Sequence, residues 1–378
     1  MKTPIAPRQS YPVGAQCPPM AADLVIYGAY GYTGSLIAET AVDRGLAPIL
    51  AGRNRERLTD LAQTLDCAHE VVALDESQAL DALLDDATAV LHCAGPFIDT
   101  AQPMLDACLR TGTHYLDITG EIPVLASLAA QSERAVEAKI TVLPAVAHDV
   151  VPTDCLAAHL SERLPEATSL ALAFEASGGL SPGTAHSLVE HIDGGGAVRR
   201  DGAIERVAPA HETGTVDFGW DAGERTVAAI PWGDVVTAYY TTGIPNVSVS
   251  LSMPPSTIRW YRLAGKLGPI LGTAPAQRLL HWLVDRRVEG PDERERATTE
   301  TYVHGVARAP DGDRVEARLR CPNTYETSRL TAVEIAERTL DDPPAAGFRT
   351  PAGVYGPDLI LEATDAESED VDPAQRTR

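Results

Sequence analysis

The sequence predicts an α/β protein: a Rossmann-type doubly wound parallel sheet plus a second α/β domain with a mostly antiparallel sheet. Three observations carry this. The apolar run Asp23-Leu24-Val25-Ile26-Tyr27 enters the turn Gly28-Ala29-Tyr30-Gly31-Tyr32-Thr33-Gly34, followed by a helical pattern at Leu36, Ile37, Thr40 and Ala41. Strand-like and helical stretches alternate from there to about residue 150. Beyond that point the strand patterns read as an antiparallel sheet.

Taken in order, residues 48–54 read as the second strand and its exit, and 56–65 as a helix. A third strand is expected over 69–75, a helix over 77–84 and a fourth strand over 87–93. The next helix is expected over 103–110, since proline suits a first turn. A strand at 114–118, a helix at 122–138 and a strand at 140–144 complete the alternation. In the second part, 169–177 alternates as a strand, and 177–184 is a glycine-rich turn before a helix at 185–192. Residues 235–240 and 247–253 read as antiparallel strands. Residues 257–288 are amphipathic and helical, broken at Gly268-Pro269 and Thr273-Ala274-Pro275. A hairpin of 299–309 and 313–321 turns at Pro310-Asp311-Gly312, and a last helix covers 330–340.

The strand, glycine turn and helix together place a pyrophosphate on a helix N-terminus, where orphan N–H groups and the helix dipole favour anionic oxygens. Gly28 permits the tight turn, Gly31 lets the phosphates approach, and Gly34 lets helix and strand pack closely. Tyr30, Tyr32 and Thr33 belong to the same cradle. The same glycines would also serve an ordinary turn. At the end of the second strand, an NAD-binding protein carries an acid for the ribose 2′-hydroxyl. Here Arg53 and Asn54 stand there, with Arg55 and Arg57 close by. A guanidinium grips a 2′-phosphate that a carboxylate would repel, so the expected cofactor is NADP(H). The alternative is that these arginines only cap a solvated helix start.

The 378 residues suggest two domains, and 44% hydrophobic content suits a soluble chain with no membrane span. Net charge is −22, which opposes nucleic-acid partners. Only Lys2, Lys139 and Lys266 are lysines. The six cysteines show no CxxC pair and no histidine at ligand spacing, so free thiols and no metal site are expected. Residues 1–22 are polar, rich in proline and without an apolar signal region, and read as a disordered tail of a cytoplasmic protein. Residues 362–378 read as an acidic tail.

Several strings in order are similar to the saccharopine dehydrogenase-like family. They are the glycine turn, Leu50-Ala51-Gly52-Arg53-Asn54, Cys93-Ala94-Gly95-Pro96-Phe97, and Gly112-Thr113-His114-Tyr115-Leu116-Asp117-Ile118-Thr119-Gly120-Glu121. Ile230-Pro231-Trp232-Gly233-Asp234-Val235, Thr241-Thr242-Gly243-Ile244-Pro245-Asn246 and Gly347-Phe348-Arg349-Thr350-Pro351-Ala352 extend the resemblance to roughly residues 24–359. Within the family the chain resembles the branch of trans-acting enoyl reductases and saccharopine dehydrogenase-like oxidoreductases. The resemblance implies an NADP-type Rossmann domain, a second α/β domain, and a chain end returning to the first. The expected division is therefore 23–150 for cofactor, 151–324 for substrate and dimerisation, and 325–361 for the returning segment. One string departs: Gly-Phe-Asp-Ser-Val-Pro-Ser-Asp becomes Ala147-His148-Asp149-Val150-Val151-Pro152-Thr153-Asp154, with histidine for phenylalanine and Val150 for serine.

In a doubly wound sheet, ligands lie across the carboxyl ends of the strands. Cys93, Ala94, Gly95 and Pro96 are therefore expected beside the cofactor, or form a plain Gly-Pro turn. Asp117 and Glu121 are candidates to position substrate or exchange protons, although Glu121 also suits a helix N-terminus. His148 is the candidate proton donor, because histidine titrates near neutrality, or is a histidine satisfied in the core. Trp232 and Tyr239 are candidates to line the pocket, or are core aromatics. The leading expectation is an NADP(H)-dependent oxidoreductase that reduces a C=C or C=N bond of a small, lipid-like molecule. The alternative is a non-catalytic NADP-binding or membrane-associated scaffold. Residues 257–288 suit a homodimer contact, a peripheral membrane contact, or a helix that covers the second domain's core.

Overall fold

The computed structural model describes residues 23–176, 195–271, 273–288 and 290–371. The expected tail at 1–22, the turn at 177–184 with its helix at 185–192, and the end of the acidic tail lie outside these. The first sheet is wholly parallel. Six of its strands are those expected: β1 (Leu24–Tyr27), β2 (Ile49–Gly52), β3 (His69–Val71), β4 (Ala89–His92), β5 (His114–Asp117) and β6 (Thr141–Leu143). They lie in the order β3-β2-β1-β4-β5-β6, the doubly wound order that reverses between β1 and β4. β1 and β4 are buried throughout, as strands covered on both faces must be.

Helices α1 (Tyr32–Asp43), α2 (Arg55–Leu65), α3 (Ser77–Leu84), α4 (Phe97–Thr111), α5 (Ile122–Ala130) and α6 (Ser132–Ala138) connect these strands. α4 starts six residues earlier than expected and carries Pro103 inside it. Its first N–H groups, from Phe97 and Ile98, donate to the Glu121 carboxylate at 3.0 and 2.9 Å. That anchor lies more than twenty residues away, so no local pattern announces it.

The second sheet is mixed. Its main path runs β10 (Thr213–Asp217), β11 (Glu224–Ala229), β12 (Asn246–Ser252), β7 (Ser169–Ala176), β13 (Glu300–Arg308), β14 (Arg314–Pro322) and β16 (Glu367–Asp370). A further hairpin, β8 (Gly196–Arg200) and β9 (Ala203–Val207), joins at β12. β7 and β12 pair in parallel, and the other described pairs are antiparallel. α7 (Val151–Arg163) lies against β13, where a Cβ at Gly305 would come within 2.6 Å of Leu160. The stretch expected as a strand at 235–240 is instead α8 (Asp234–Thr242), closed by Gly243 at φ +75°. Val235, Val236 and Ala238 join the core from it, and tertiary burial overrides their β propensity.

α9 (Pro255–Leu271) and α10 (Ala274–Arg287) divide the amphipathic region, α9 continuing through Gly268-Pro269. α11 (Glu293–Thr298) leads into β13. The expected last helix begins earlier, as α12 (Thr324–Asp341), because Asn323 caps it by accepting from the Tyr325 N–H at 2.9 Å. α12 returns to the first sheet, where Arg44, at the C-terminal end of α1, pairs with Glu334 and Glu337 at 2.8 and 2.9 Å. β15 (Gly347–Phe348) pairs in parallel with β6, and α13 (Pro351–Tyr355) and α14 (Leu359–Ala363) follow. β16, inside the segment read as an acidic tail, pairs with β14. One apolar core runs through both sheets, from Ile26 and Leu91 to Leu172 and Val303.

Candidate active site

A cavity of about 1600 Å³ opens at the carboxyl ends of β1 and β4, where the strand order reverses. Gly28 ends β1 at φ +81°, and a Cβ there would stand 2.7 Å from the Ala94 nitrogen. Glycine therefore lets the β1 turn touch the turn after β4. A Cβ at Gly34 would meet the Gly28 carbonyl at 2.4 Å. Gly31 differs. Its φ is an ordinary −68°, a Cβ would meet only the Gly28 carbonyl at 3.2 Å, and the residue lines the cavity. No side chain caps α1 and no acid occupies its first turn, so its N-terminus offers N–H groups and dipole to an anion.

Arg53, at the end of β2, also lines the cavity. Beside it Tyr30 lies against Gly52, where a Cβ would come within 2.5 Å of the ring. Arg57 donates to the Tyr30 carbonyl at 2.9 Å, with its guanidinium 5.2 Å from the ring centre. These features fit a dinucleotide, with the pyrophosphate at Gly31-Tyr32-Thr33 and a 2′ substituent toward Arg53. Of the expected cofactor residues, Gly28, Tyr30, Gly31, Tyr32, Thr33, Arg53, Cys93, Ala94, Gly95 and Pro96 line the cavity. Gly34 and Asn54 do not. Gly34 packs the turn, and the Asn54 side chain caps α2 by accepting from the Arg57 N–H at 3.1 Å. Burial pushes the Cys93 thiol far up, which makes it a wall rather than a nucleophile. The Tyr32 hydroxyl donates to the Pro291 carbonyl and accepts from Arg296 at 3.1 Å, tying the cradle to the segment after α10.

The candidate catalytic residues separate. Asp117 is fully buried and does not line the cavity. Its carboxylate accepts from the Tyr115 hydroxyl at 2.6 Å and from the Thr119 and Ala145 N–H groups at 3.0 and 2.9 Å. Burial pushes its carboxyl up to about 6, and these bonds oppose the rise. Asp117→Ala strands three buried donors and is expected to cost about 3 kcal/mol or more in denaturant unfolding. A loss below about 1 kcal/mol would contradict this structural role. Glu121 lines the cavity while holding α4, so it is committed to the fold as well as placed at the site.

His148 does not line the large cavity. It borders a void of about 10 Å³ with Phe174, Trp232 and Val303. Burial lowers its pKa to about 4, so it is neutral at pH 7 and holds no proton of suitable acidity to give. Its neighbour Asp149 faces the cavity. Burial, then the charge of Glu121, raises the Asp149 carboxyl to about 6. The Trp232 indole N–H donates to the Asp149 carbonyl at 2.5 Å, and a Cβ at Gly120 would stand 3.1 Å from its Oδ2. Trp232 lines the cavity and Tyr239 does not.

The far wall comes from the second sheet and α9: Ile204, Arg206, Ile230, Leu251, Met253 and Tyr261. Tyr325 and Ser328 of α12 complete it. Apart from Ile230, which stands in a quoted string, these positions carry no local signal, because the chain brings them from far apart. Among the described residues, no group of three or more His, Cys, Asp or Glu is placed to hold a metal ion.

Residues 24–144 match the family model described as the saccharopine dehydrogenase NADP binding domain. A trans-acting enoyl reductase of Mycobacterium leprae is 35% identical over 152 residues, which are 38% of this chain and 36% of that protein. A bovine saccharopine dehydrogenase-like oxidoreductase is 28% identical over 151 residues, 35% of each chain. The match thus spans about a third of these relatives' length. The solved saccharopine dehydrogenase (L-Glu forming) of Saccharomyces cerevisiae shares the fold at a TM-score of 0.63 and 12% identity, covering 92% of this chain and 99% of that one. Over residues 24–144, about a third of its length, the chain is thus similar to the saccharopine dehydrogenase NADP binding domain, and beyond them it shares the fold of a solved saccharopine dehydrogenase.

Proposed function

We propose that the protein is an NADP(H)-dependent oxidoreductase that reduces a C=C or C=N bond in an apolar substrate. One observation carries this reading. A single cavity joins the uncapped N-terminus of α1 to an apolar wall from the second sheet, with a protonatable Asp149 facing it. When bound, the nicotinamide cofactor supplies the hydride. The chain does the rest. The α1 N-terminus and Arg53 hold the phosphates, and the small residues Cys93, Ala94 and Gly95 admit the sugar and ring. Ile204, Leu251, Met253 and Trp232 exclude water and orient the substrate. The Asp149 carboxyl gives its proton to the second atom of the double bond as the first takes hydride, and solvent reprotonates it.

A substrate with several carboxylates, as in amino-acid metabolism of the saccharopine type, would need several cations. Among the described residues, Arg206 is the one cation that the second sheet gives the cavity. A scaffold without chemistry would leave the Asp149 placement without a role. Oxidation of NADPH on addition of 2-enoyl thioesters or imines tests the proposal, and the absence of turnover with both classes would refute it.

Cofactor choice follows from Arg53. One charge-assisted phosphate contact contributes about 1.5–3 kcal/mol, so NADPH is expected to bind about tenfold or more tightly than NADH. Titration of both cofactors checks this, with Arg53→Ala lowering affinity for NADPH and sparing NADH. Equal affinities in the wild type would exclude it.

A further inference from the structure

We propose that α9 and α10 dock the protein on an anionic lipid bilayer, in the plane of the headgroups. Among the described residues nine large apolar side chains are exposed, and five of them lie on these two helices: Trp260, Leu263, Leu267, Leu279 and Trp282. Trp260 is 70% exposed. The spacings 260-263-267 and 279-282 keep them on one stripe of each helix.

These side chains are not core left uncovered by chance, because α9 already buries another side. Ile258 is buried with Ala210 and Ala228, and Gly265 lies so close to Pro209 that a Cβ would come within 2.3 Å. Tyr261, Ala264 and Gly265 line the cavity. One helix therefore presents a wall to the cavity and an apolar stripe to the outside.

Charge selects the occupant. The chain carries −22, yet residues 255–288 hold Arg259, Arg262, Lys266, Arg278, Arg286 and Arg287 against one acid, Asp285. All six cations are exposed, and the Arg286 guanidinium lies 4.4 Å from the Trp282 ring centre. A second copy meeting this surface across a two-fold axis would set the same cations face to face. An anionic bilayer complements them, takes tryptophan at its interface, and repels the acidic remainder so that only this face approaches. No described helix is long and apolar enough to cross a membrane, which leaves an in-plane contact. Entry of an apolar substrate from the bilayer past α9 rests on the substrate reading above. The docking itself does not.

Co-sedimentation of the full chain with vesicles tests the proposal, with no dependence on turnover. The probes are phosphatidylcholine alone and phosphatidylcholine mixed with phosphatidylglycerol. Binding is expected to the mixed vesicles, to weaken with salt, and to fall about tenfold or more in Trp260→Ser/Trp282→Ser. Arg259→Glu/Lys266→Glu is expected to remove the preference for anionic lipid. NADPH titration of each variant shows that the fold persists. The proposal is overturned by no binding to mixed vesicles, by equal binding of the tryptophan variant, or by a dimer that this variant dissociates while vesicles go unbound.

Discussion

Replacing Gly31 with valine is expected to abolish dinucleotide binding while leaving the apoprotein folded. The backbone at Gly31 has φ −68°, which any L-residue adopts, and a Cβ would meet only the Gly28 carbonyl at 3.2 Å. No side chain caps α1 at this position, so the helix start loses nothing. The branched side chain instead enters the space at the helix N-terminus where phosphate must approach. A loss of about a hundredfold in NADPH affinity, roughly 3 kcal/mol, is expected, with little change in melting temperature. The neighbouring glycines behave differently. Gly28→Ala places a Cβ at φ +81° and 2.7 Å from the Ala94 nitrogen, and Gly34→Ala drives one to 2.4 Å from the Gly28 carbonyl. Both therefore damage the turn itself. Fluorescence titration with thermal melting separates the cases. A folded Gly31→Val protein that binds NADPH normally would remove the phosphate from this turn.

Asp149→Asn is expected to lower turnover by about 10²–10⁴-fold and to spare NADPH binding. Asparagine keeps the shape and loses the acid. The pH dependence has a fixed sign. The donor acts protonated, and its pKa is raised to about 6, so turnover is highest below pH 6 and falls as pH rises through it. In Asp149→Asn that fall should vanish. His148 is the internal comparison, being neutral above about pH 4 and absent from the cavity wall. Turnover kept by Asp149→Asn and lost by His148→Phe would assign the proton to His148 instead.

The two carboxylates named first, Asp117 and Glu121, show why residue type alone does not place chemistry. Both stand at the carboxyl end of β5, as a ligand-binding sheet edge requires. Asp117 turns inward to three donors, and Glu121 holds the first N–H groups of α4. Ala145, one of the Asp117 donors, and both Glu121 partners on α4 lie more than twenty residues away, at distances in the chain that no motif spans. The same holds for His148 and Asp149. They are adjacent in sequence and border the same small void with Trp232 and Phe174, each brought from elsewhere, and Asp149 alone of the two also lines the large cavity.

By itself the sequence determined what local patterning and backbone freedom control. The parallel sheet followed from apolar runs alternating with helical periodicity, the close turn after β1 from glycines at 28, 31 and 34, and the placing of Arg53 on the cavity wall from its position at the end of β2. Each is written within a few residues, because hydrogen bonding in strand, turn and helix is short in range. Tertiary structure decided the rest. It made 234–242 a helix despite its β-branched residues, since burial beside α7 outweighs a small intrinsic preference. It formed β8 to β11, of which β9 and β10 are mostly exposed and carry little periodic signal. It also built the apolar wall of the cavity from β9, β12 and α9, because side chains distant in sequence meet only when the second sheet closes over the first.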